Sequence, residues 1–436
     1  MREMKDSGIE WLNQIPVSWK NETIRHLITT RDGGAWGDEP SEDNGGTICL
    51  RIADFDYSKG TFQKSDQEAL TRREYSSAQI QKLKLQAGDI LIEKSGGGEK
   101  TPVGRSVIYH GEYGAVLFAN FMERLRFDTS VVLPEFAEYW LRAWYSCRCS
   151  PYYINQTTGI QNINLTLMLA KERIFFPEIC YQQVITAYLD SRCAEIDAVA
   201  ADIQSQIDVL EQYKRSVITE AVTKGLNPDV EMKDSGIQWI GQMPTHWNCI
   251  RGKYILRYLQ KPVKEDDGVI TCFRDGEVTL RSNRREEGFT MADKEIGYQG
   301  IDAGDLVVHG MDGFAGAIGI SDSRGKASPV LNVLGTDQNK RYIMYYLRSM
   351  AYSDVFLALA TGIRVRSCDL RWNKLAELMY PVPPVDEQEK IVEHIDTVIR
   401  KTDEVIADKK AQLETIDEYK KSLIYEYVTG KKEVPA

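Results

Sequence analysis

The amino-acid sequence predicts an α+β protein built as an internal repeat. Two tandem domains of mixed strands and helices are expected, separated by two long antiparallel helices paired as a coiled coil, with pseudo-twofold symmetry. Three observations lead there. The stretch "MKDSGIEWLNQIP" at 4–16 returns as "MKDSGIQWIGQMP" at 232–244 with four letters changed. Further matches follow it in the same order along both halves. Two stretches, 179–222 and 386–428, run for more than forty residues without proline or glycine.

The matches are collinear with a drifting offset, as two copies of one unit give when loops differ in length. Met4, Trp11, Pro16 and Trp19 pair with Met232, Trp239, Pro244 and Trp247 at an offset of 228. "ICLR" at 48–51 faces "TCFR" at 271–274, and "AGDILI" at 87–92 faces "AGDLVV" at 303–308. "YWLRAWYS" from Tyr139 faces "YYLRSMAYS" from Tyr345 at 206, and Thr158-Gly159-Ile160 faces Thr361-Gly362-Ile363. The offset of 206 then pairs Asp190, Asp197, Tyr213, Ser216 and Thr223 with Asp396, Asp403, Tyr419, Ser422 and Thr429.

Each copy opens on a short segment in which Ile9, Trp11, Leu12 and Ile15 precede Pro16, closed by Trp19. Short apolar or alternating runs such as "TICLRIADFD" and "GDILIEK", broken by glycines, read as strands and loops. "PEFAEYWLRAWYS" and "NKRYIMYYLRSMAYS" read as helices. In the long stretches, Val184, Tyr188, Ile196, Val199, Ile203, Ile207 and Leu210, then Ile391, Ile395, Val398, Val405, Ile406 and Leu413, recur mostly at spacings of three and four. That is helical periodicity, entered after Pro177 and Pro384 and left before Gly225 and Gly430. Each helix would span roughly 60 Å. Neither can bury its apolar stripe alone, so the two are expected to pair with each other, antiparallel, with a domain at each end.

Composition narrows the function. The 436 residues carry a formal charge of −10, which argues against indiscriminate coating of nucleic acid. Residues 249–378 hold 19 basic against 17 acidic side chains and residues 21–175 hold 18 against 20, so the acidity lies mostly outside these regions. Eight cysteines, at 49, 147, 149, 180, 193, 249, 272 and 368, show no C-x-x-C and read as reduced thiols without a metal site. The histidines His26, His110, His246, His309 and His394 form no nucleophilic or metal-binding pattern, and Asp266-Asp267 sits in an apparent turn. "GGGEKT" has Glu99 where a phosphate-binding loop needs glycine. No membrane span or leader is visible, and the expected compartment is the cytoplasm.

The "DSGIEWLNQIPVSW" segment, its second copy "DSGIQWIGQMPTHW", the "TGI" stretches and the helix entry "YPVPPVDEQEKIVEHID" together resemble the specificity subunit of type I restriction-modification systems, over essentially the whole chain. The entry to the first helix, "FPEICYQQVITAYLD", departs by carrying Tyr181-Gln182-Gln183 in place of Glu-Gln. The resemblance implies a docking segment at 1–20, a target-recognition domain at 21–176, a helix at 177–226, a second docking segment at 227–248, a second target-recognition domain at 249–380, a helix at 381–430 and a tail at 431–436. It implies a subunit without a catalytic centre of its own. Each domain would read half of a bipartite asymmetric site in double-stranded DNA, and the helices would set the gap. Two modification subunits carrying S-adenosylmethionine would dock on the chain, and restriction subunits using ATP and Mg would join them. The rival reading is a protein scaffold that never reads DNA.

Candidates for DNA contact are Lys94, Lys100 and Arg105 on the glycine-rich "EKSGGGEKTPVGR", and His309 at the corresponding "HGMDGFAG". Each also fits an ordinary solvated turn. Arg51 and Arg274 are repeat-equivalent and fit either a base or phosphate clamp or a fold role common to both domains. Arg281 belongs to "LRSNRREEG", where Arg284 and Arg285 precede Glu286 and Glu287 and read as a solvated cluster. Gln161, Asn162 and Asn164 follow one "TGI" and Arg364 and Arg366 follow the other, a difference suited to two readers of different sequence. Trp11, Trp19, Trp239 and Trp247 are the partner-docking candidates, with packing in the joint between repeats favoured over stacking on bases.

Overall fold

The structure is a computed structural model that describes residues 2–41, 45–63, 67–156, 160–284, 296–359 and 370–435. The chain divides into two units, one formed by 1–204 with 411–436 and the other by 205–410. The division falls inside both long helices, Ile179–Lys224 and Val385–Val428, so each unit holds a mixed domain and part of each helix.

In unit 1 the doubled segment is a hairpin, Met4–Asp6 paired with Gln14–Pro16. It turns through Gly8 and Asn13, both at positive φ, the region glycine and asparagine tolerate best. The central antiparallel sheet runs in the order Ser106–Ile108, Ile90–Glu93, Met122–Phe127, Ile28–Gly33. A second sheet sets Val116–Phe118 parallel to Thr47–Leu50. The helix Pro134–Ser146 buries Phe136, Trp140 and Trp144 in the core.

Unit 2 repeats this order. Its hairpin is Met232–Asp234 with Gln242–Pro244, and its sheet runs Ile318–Ile320, Leu306–His309, Leu331–Thr336, Leu256–Tyr258. Its helix Lys340–Tyr352 buries Tyr342, Tyr346 and Leu347. The paired "AGD" motifs earn their likeness locally. Gly88 and Gly304 adopt φ of +89° and +84°, and the following aspartates close equivalent turns, Asp89 accepting from Gln86 N–H at 2.8 Å and Asp305 from Asp302 N–H at 2.9 Å.

The expected antiparallel helix pairing is present inside each unit. In unit 1 Tyr188 stacks on Tyr427 and Asp197 pairs with Lys420 at 2.6 Å, so a step forward on the first helix is a step back on the second. In unit 2 Lys409 donates to Gln206, and Lys214 pairs with Asp403 at 2.5 Å.

Equivalent polar clamps tie each mixed domain to its helices. Tyr139 donates to Asp190 at 2.7 Å in unit 1 and Tyr345 to Asp396 at 2.5 Å in unit 2. At the helix entries a fully buried glutamine uses both ends of its amide. Gln182 accepts from Leu133 N–H and donates to the carbonyls of Pro177 and Val131. Gln388 accepts from Asn339 N–H and donates to Pro383 C=O and Gln338 Oε1. Buried polar groups are tolerated when paired in this way. The glutamate lost at Tyr181 has a separate task in the other copy, where Glu387 bonds His246 at 2.8 Å. Tyr181 instead carries the Arg2 guanidinium over its ring at 5.2 Å.

Candidate nucleic-acid interface

Two stretches far apart in the sequence of unit 1 form one small sheet. Ser95–Gly96, in the glycine-rich loop, pairs with Gln161–Ile163, which pairs in turn with Ile154–Gln156. Strand alternation sorts the middle strand, burying Gln161 and Ile163 and leaving Asn162 exposed. Gln161 accepts from Val103 N–H at 3.2 Å and so closes the glycine loop from inside. Gly97 sits at φ +67° with its missing Cβ 2.6 Å from Val103 N, so a side chain there would collide.

The outer face is polar. Asn162 lies opposite Asn155, both are exposed, and neither amide has a partner among the described residues. Lys94 precedes the first strand, its C=O accepting from Ile163 N–H and its N–H donating to Phe121 C=O at 2.8 Å. Its ammonium lies near Gly33, and neither it nor the exposed Lys100 makes an ion pair among the described residues. The Phe121 ring is 51% exposed and Tyr152 81%.

The remaining candidates are held by neighbours. Arg105 forks onto the buried Glu93 at 3.1 and 2.7 Å and lies over the Tyr57 ring at 3.6 Å, while Tyr57 donates to the same carboxylate. Burial, then the Glu93 charge, pushes the Tyr57 hydroxyl well above the usual tyrosine range. Arg51 caps a single turn, its N–H and guanidinium both donating to Asp54. Arg274 pairs with Asp312 at 2.9 Å. Arg281 donates to Thr271 at 3.3 Å. His309 accepts from Met311 and Asp312 N–H through Nδ1, and burial lowers its pKa, so the ring acts as a neutral acceptor. Asn164 caps the helix Leu165–Lys171 by accepting from Leu167 N–H at 3.0 Å. Arg364 and Arg366, like Arg285 and most of both "TGI" stretches, lie outside the described residues. In unit 2 the two corresponding stretches meet where Leu370 N–H donates to Gly310 C=O at 2.8 Å.

Asn155, Phe121 and Tyr152 were not singled out from the sequence. Asn155 could have been found only by knowing the strand register that sets it opposite Asn162. The four indoles turn inward. Trp19 and Trp247 are buried, each against a helix-ending glycine, Gly430 and Gly225. Trp11 packs edge-on to Trp140 at 5.3 Å, and Trp239 donates to Tyr346 at 3.2 Å. Trp19 and Trp247 are thus held in packing within each unit. The exposed apolar side chains of the helices include Val199 and Tyr419 in unit 1 and their repeat equivalents Val405 and Tyr213 in unit 2.

Fold and site together define a class: a chain of two like units, in each of which a mixed domain is clamped to long paired helices, with a polar loop cluster described in unit 1. Among the described residues no helix is long and apolar enough to cross a membrane, and no cluster of metal-ligating side chains occurs. No family model matches the chain. It is 23% identical over 434 residues to a protein of Methanocaldococcus jannaschii named as the type I restriction enzyme MjaX specificity subunit, covering 96% of this chain and 95% of that one. A solved chain described under "complex assembly and conformational transition of the type I R-M system" superposes with a TM-score of 0.62 at 12% identity, covering 96% of this chain and 99% of that one. The HsdS subunit from Thermoanaerobacter tengcongensis aligns at 11% identity and a TM-score of 0.45 over 96% and 98% of the two chains. The likeness to type I specificity subunits expected from the sequence is borne out by the first of these, and the second shows the fold of a chain from a type I R-M system.

Proposed function

We propose that this chain is the DNA sequence-recognition subunit of a type I restriction-modification complex, reading the halves of a bipartite asymmetric site with its two domains. The observation that carries the reading is the end-to-end sequence similarity to a named specificity subunit. The geometry of unit 1 supplies suitable chemistry. Asn155 and Asn162 are the side-chain type that reads adenine by two hydrogen bonds in the major groove, Lys94 and Lys100 are free to meet phosphates, and Phe121 can contact a thymine methyl or base step. The chemistry of methylation and cleavage belongs in this reading to partners: modification subunits holding S-adenosylmethionine, and restriction subunits using ATP and Mg. The exposed Val199 and Tyr419 of unit 1, and Tyr213 and Val405 of unit 2, offer the modification subunits two equivalent docking places. The paired helices set the gap between half-sites.

Gel-shift competition with the assembled complex tests this. One bipartite sequence should outcompete all others, and Asn162→Ala should relax preference within one half-site by about 1–3 kcal/mol while leaving the other half-site intact. Equal competition by every duplex would instead favour a scaffold. Adding one turn to a long helix should change the preferred gap and neither half-site.

A further inference from the structure

Unit 2 contains a cleft at a position where unit 1 places a pair of tyrosine rings. The repeat offset of 206 that pairs Asp190 with Asp396 also pairs Tyr188 with His394 and Tyr427 with Ala221. In unit 1 the two tyrosines stack with ring centroids 4.6 Å apart and hydroxyls 3.2 Å apart, and Tyr427 is 6% exposed. In unit 2 the same place holds an alanine and an exposed histidine, and a cleft of about 590 Å³ opens there. Ala221, Val217, Leu226 and Met232 supply apolar wall, while His394, Asn227 and the Lys224–Glu220 pair supply polar groups. Leu226 is itself exposed, an apolar side chain without cover.

We infer that this cleft receives an aromatic side chain, a phenol ring presented by a protein partner, at the position Tyr427 occupies in unit 1. The room is sufficient, since a cavity of roughly 150 Å³ already holds benzene. The chemistry fits as well. A tyrosine needs apolar contact for its ring and one polar partner for its hydroxyl. The apolar wall provides the first, and His394, standing in the place of Tyr188, provides the second. Unit 1 then supplies its own ring at this position, and unit 2 receives one in trans. That the donor is a modification subunit rests on the function proposed above; that the cleft takes a phenol ring does not.

The test uses p-cresol, the tyrosine side chain as a free molecule, and the full-length chain with labelled histidines followed by NMR. The His394 signal is identified by its loss in His394→Gln. We expect p-cresol to shift His394 saturably while leaving His26 and His110 in place, and Ala221→Tyr to weaken that binding by about an order of magnitude. A His394 signal that fails to move up to the solubility limit overturns the inference on the wild-type chain alone, as does undiminished binding in a folded Ala221→Tyr. If that variant loses helical structure, Ala221→Leu, which narrows the cleft with a smaller group, must weaken the binding instead. In the assembled complex p-cresol should no longer reach His394. Continued access there, with binding intact in the free chain, overturns the partner assignment and leaves the ring site standing.

Discussion

Replacing Gln388 by leucine should loosen unit 2 at one identifiable place. The side chain is fully buried, and its amide joins three groups: Asn339 N–H at 2.9 Å, Pro383 C=O at 2.9 Å and Gln338 Oε1 at 2.7 Å. Leucine has similar bulk, so the cavity cost is small. What is lost is pairing, and a buried donor or acceptor left without a partner costs about 1–3 kcal/mol. Asn339 N–H and Pro383 C=O are both orphaned, while Gln338 can turn to water, so the expected loss is about 2–4 kcal/mol after partial relaxation. A two-unit chain need not unfold in one step, which makes a global midpoint a poor readout. Hydrogen exchange read by mass spectrometry separates the parts. Protection should fall by that amount at the starts of Lys340–Tyr352 and Val385–Val428 and stay unchanged in unit 1. Gln182→Leu should give the mirror result at Leu133 and Ile179. Losses below about 0.5 kcal/mol in both variants would refute the view that these amides anchor the helix entries.

Glu138 is buried with Oε1 unpaired and Arg142 Nε 3.8 Å away, and burial lifts its pKa from 4.5 to about 8. A carboxyl raised by folding weakens the fold as pH climbs between those two values, by a few kcal/mol in all. Glu138→Met, which copies Met344 of unit 2, should flatten the decline between pH 5 and pH 8 in urea titrations of unit 1; an unchanged slope would discount the buried acid. Arg324 acts in the opposite sense, since its hydrogen bonds hold Asp267 down to about 2, and with Lys261 they hold Asp302 to about 2. These carboxylates support unit 2 above their ordinary value of 3.8 and lose that support as pH falls through about 2, so Arg324→Gln should flatten the acid limb measured by circular dichroism. Lys94→Ala should weaken DNA binding evenly across sequences and reduce the slope of log affinity against log salt by about one. A sequence-selective loss would instead make Lys94 a base reader.

The helices were legible because their signals are local. A period near 3.6, a preceding proline and a following glycine place the helices expected at 177–226 and 381–430; they run Ile179–Lys224 and Val385–Val428, the second starting four residues later than expected. The site was legible only in pieces. The glycine-rich loop and the stretch after "TGI" are each recognisable alone, but their pairing through Ser95 and Asn162 spans a gap no periodicity records. For the same reason Asn155 went unseen. Gln182 and Gln388 carried a readable signal, each lying five residues after a proline, yet the missing glutamate beside Gln182 drew attention first. Among charged residues the sequence cannot separate a spent side chain from a free one. Arg105 and Lys94 belong to one loop, but Glu93 holds the arginine, and the lysine meets solvent.

The repeat itself gives a rule for telling the two kinds apart. Several residues kept in both copies are put to the same use in both units: Tyr139 and Tyr345 on a helix aspartate, Lys420 and Lys214 on the facing helix, Gln182 and Gln388 at the helix entry. Such pairs are framework, since the same contact made twice cannot distinguish one half of a DNA site from the other. Function that differs between halves must sit where the copies diverge. Asn162 follows a "TGI" whose counterpart continues with arginines, and Tyr427 answers to Ala221. Arg51 and Arg274 are kept in both copies yet pair differently, Arg51 with Asp54 in its own turn and Arg274 with the distant Asp312, so the rule does not place them. Substituting a framework residue should therefore disturb stability before sequence preference, and substituting a divergent one should do the reverse.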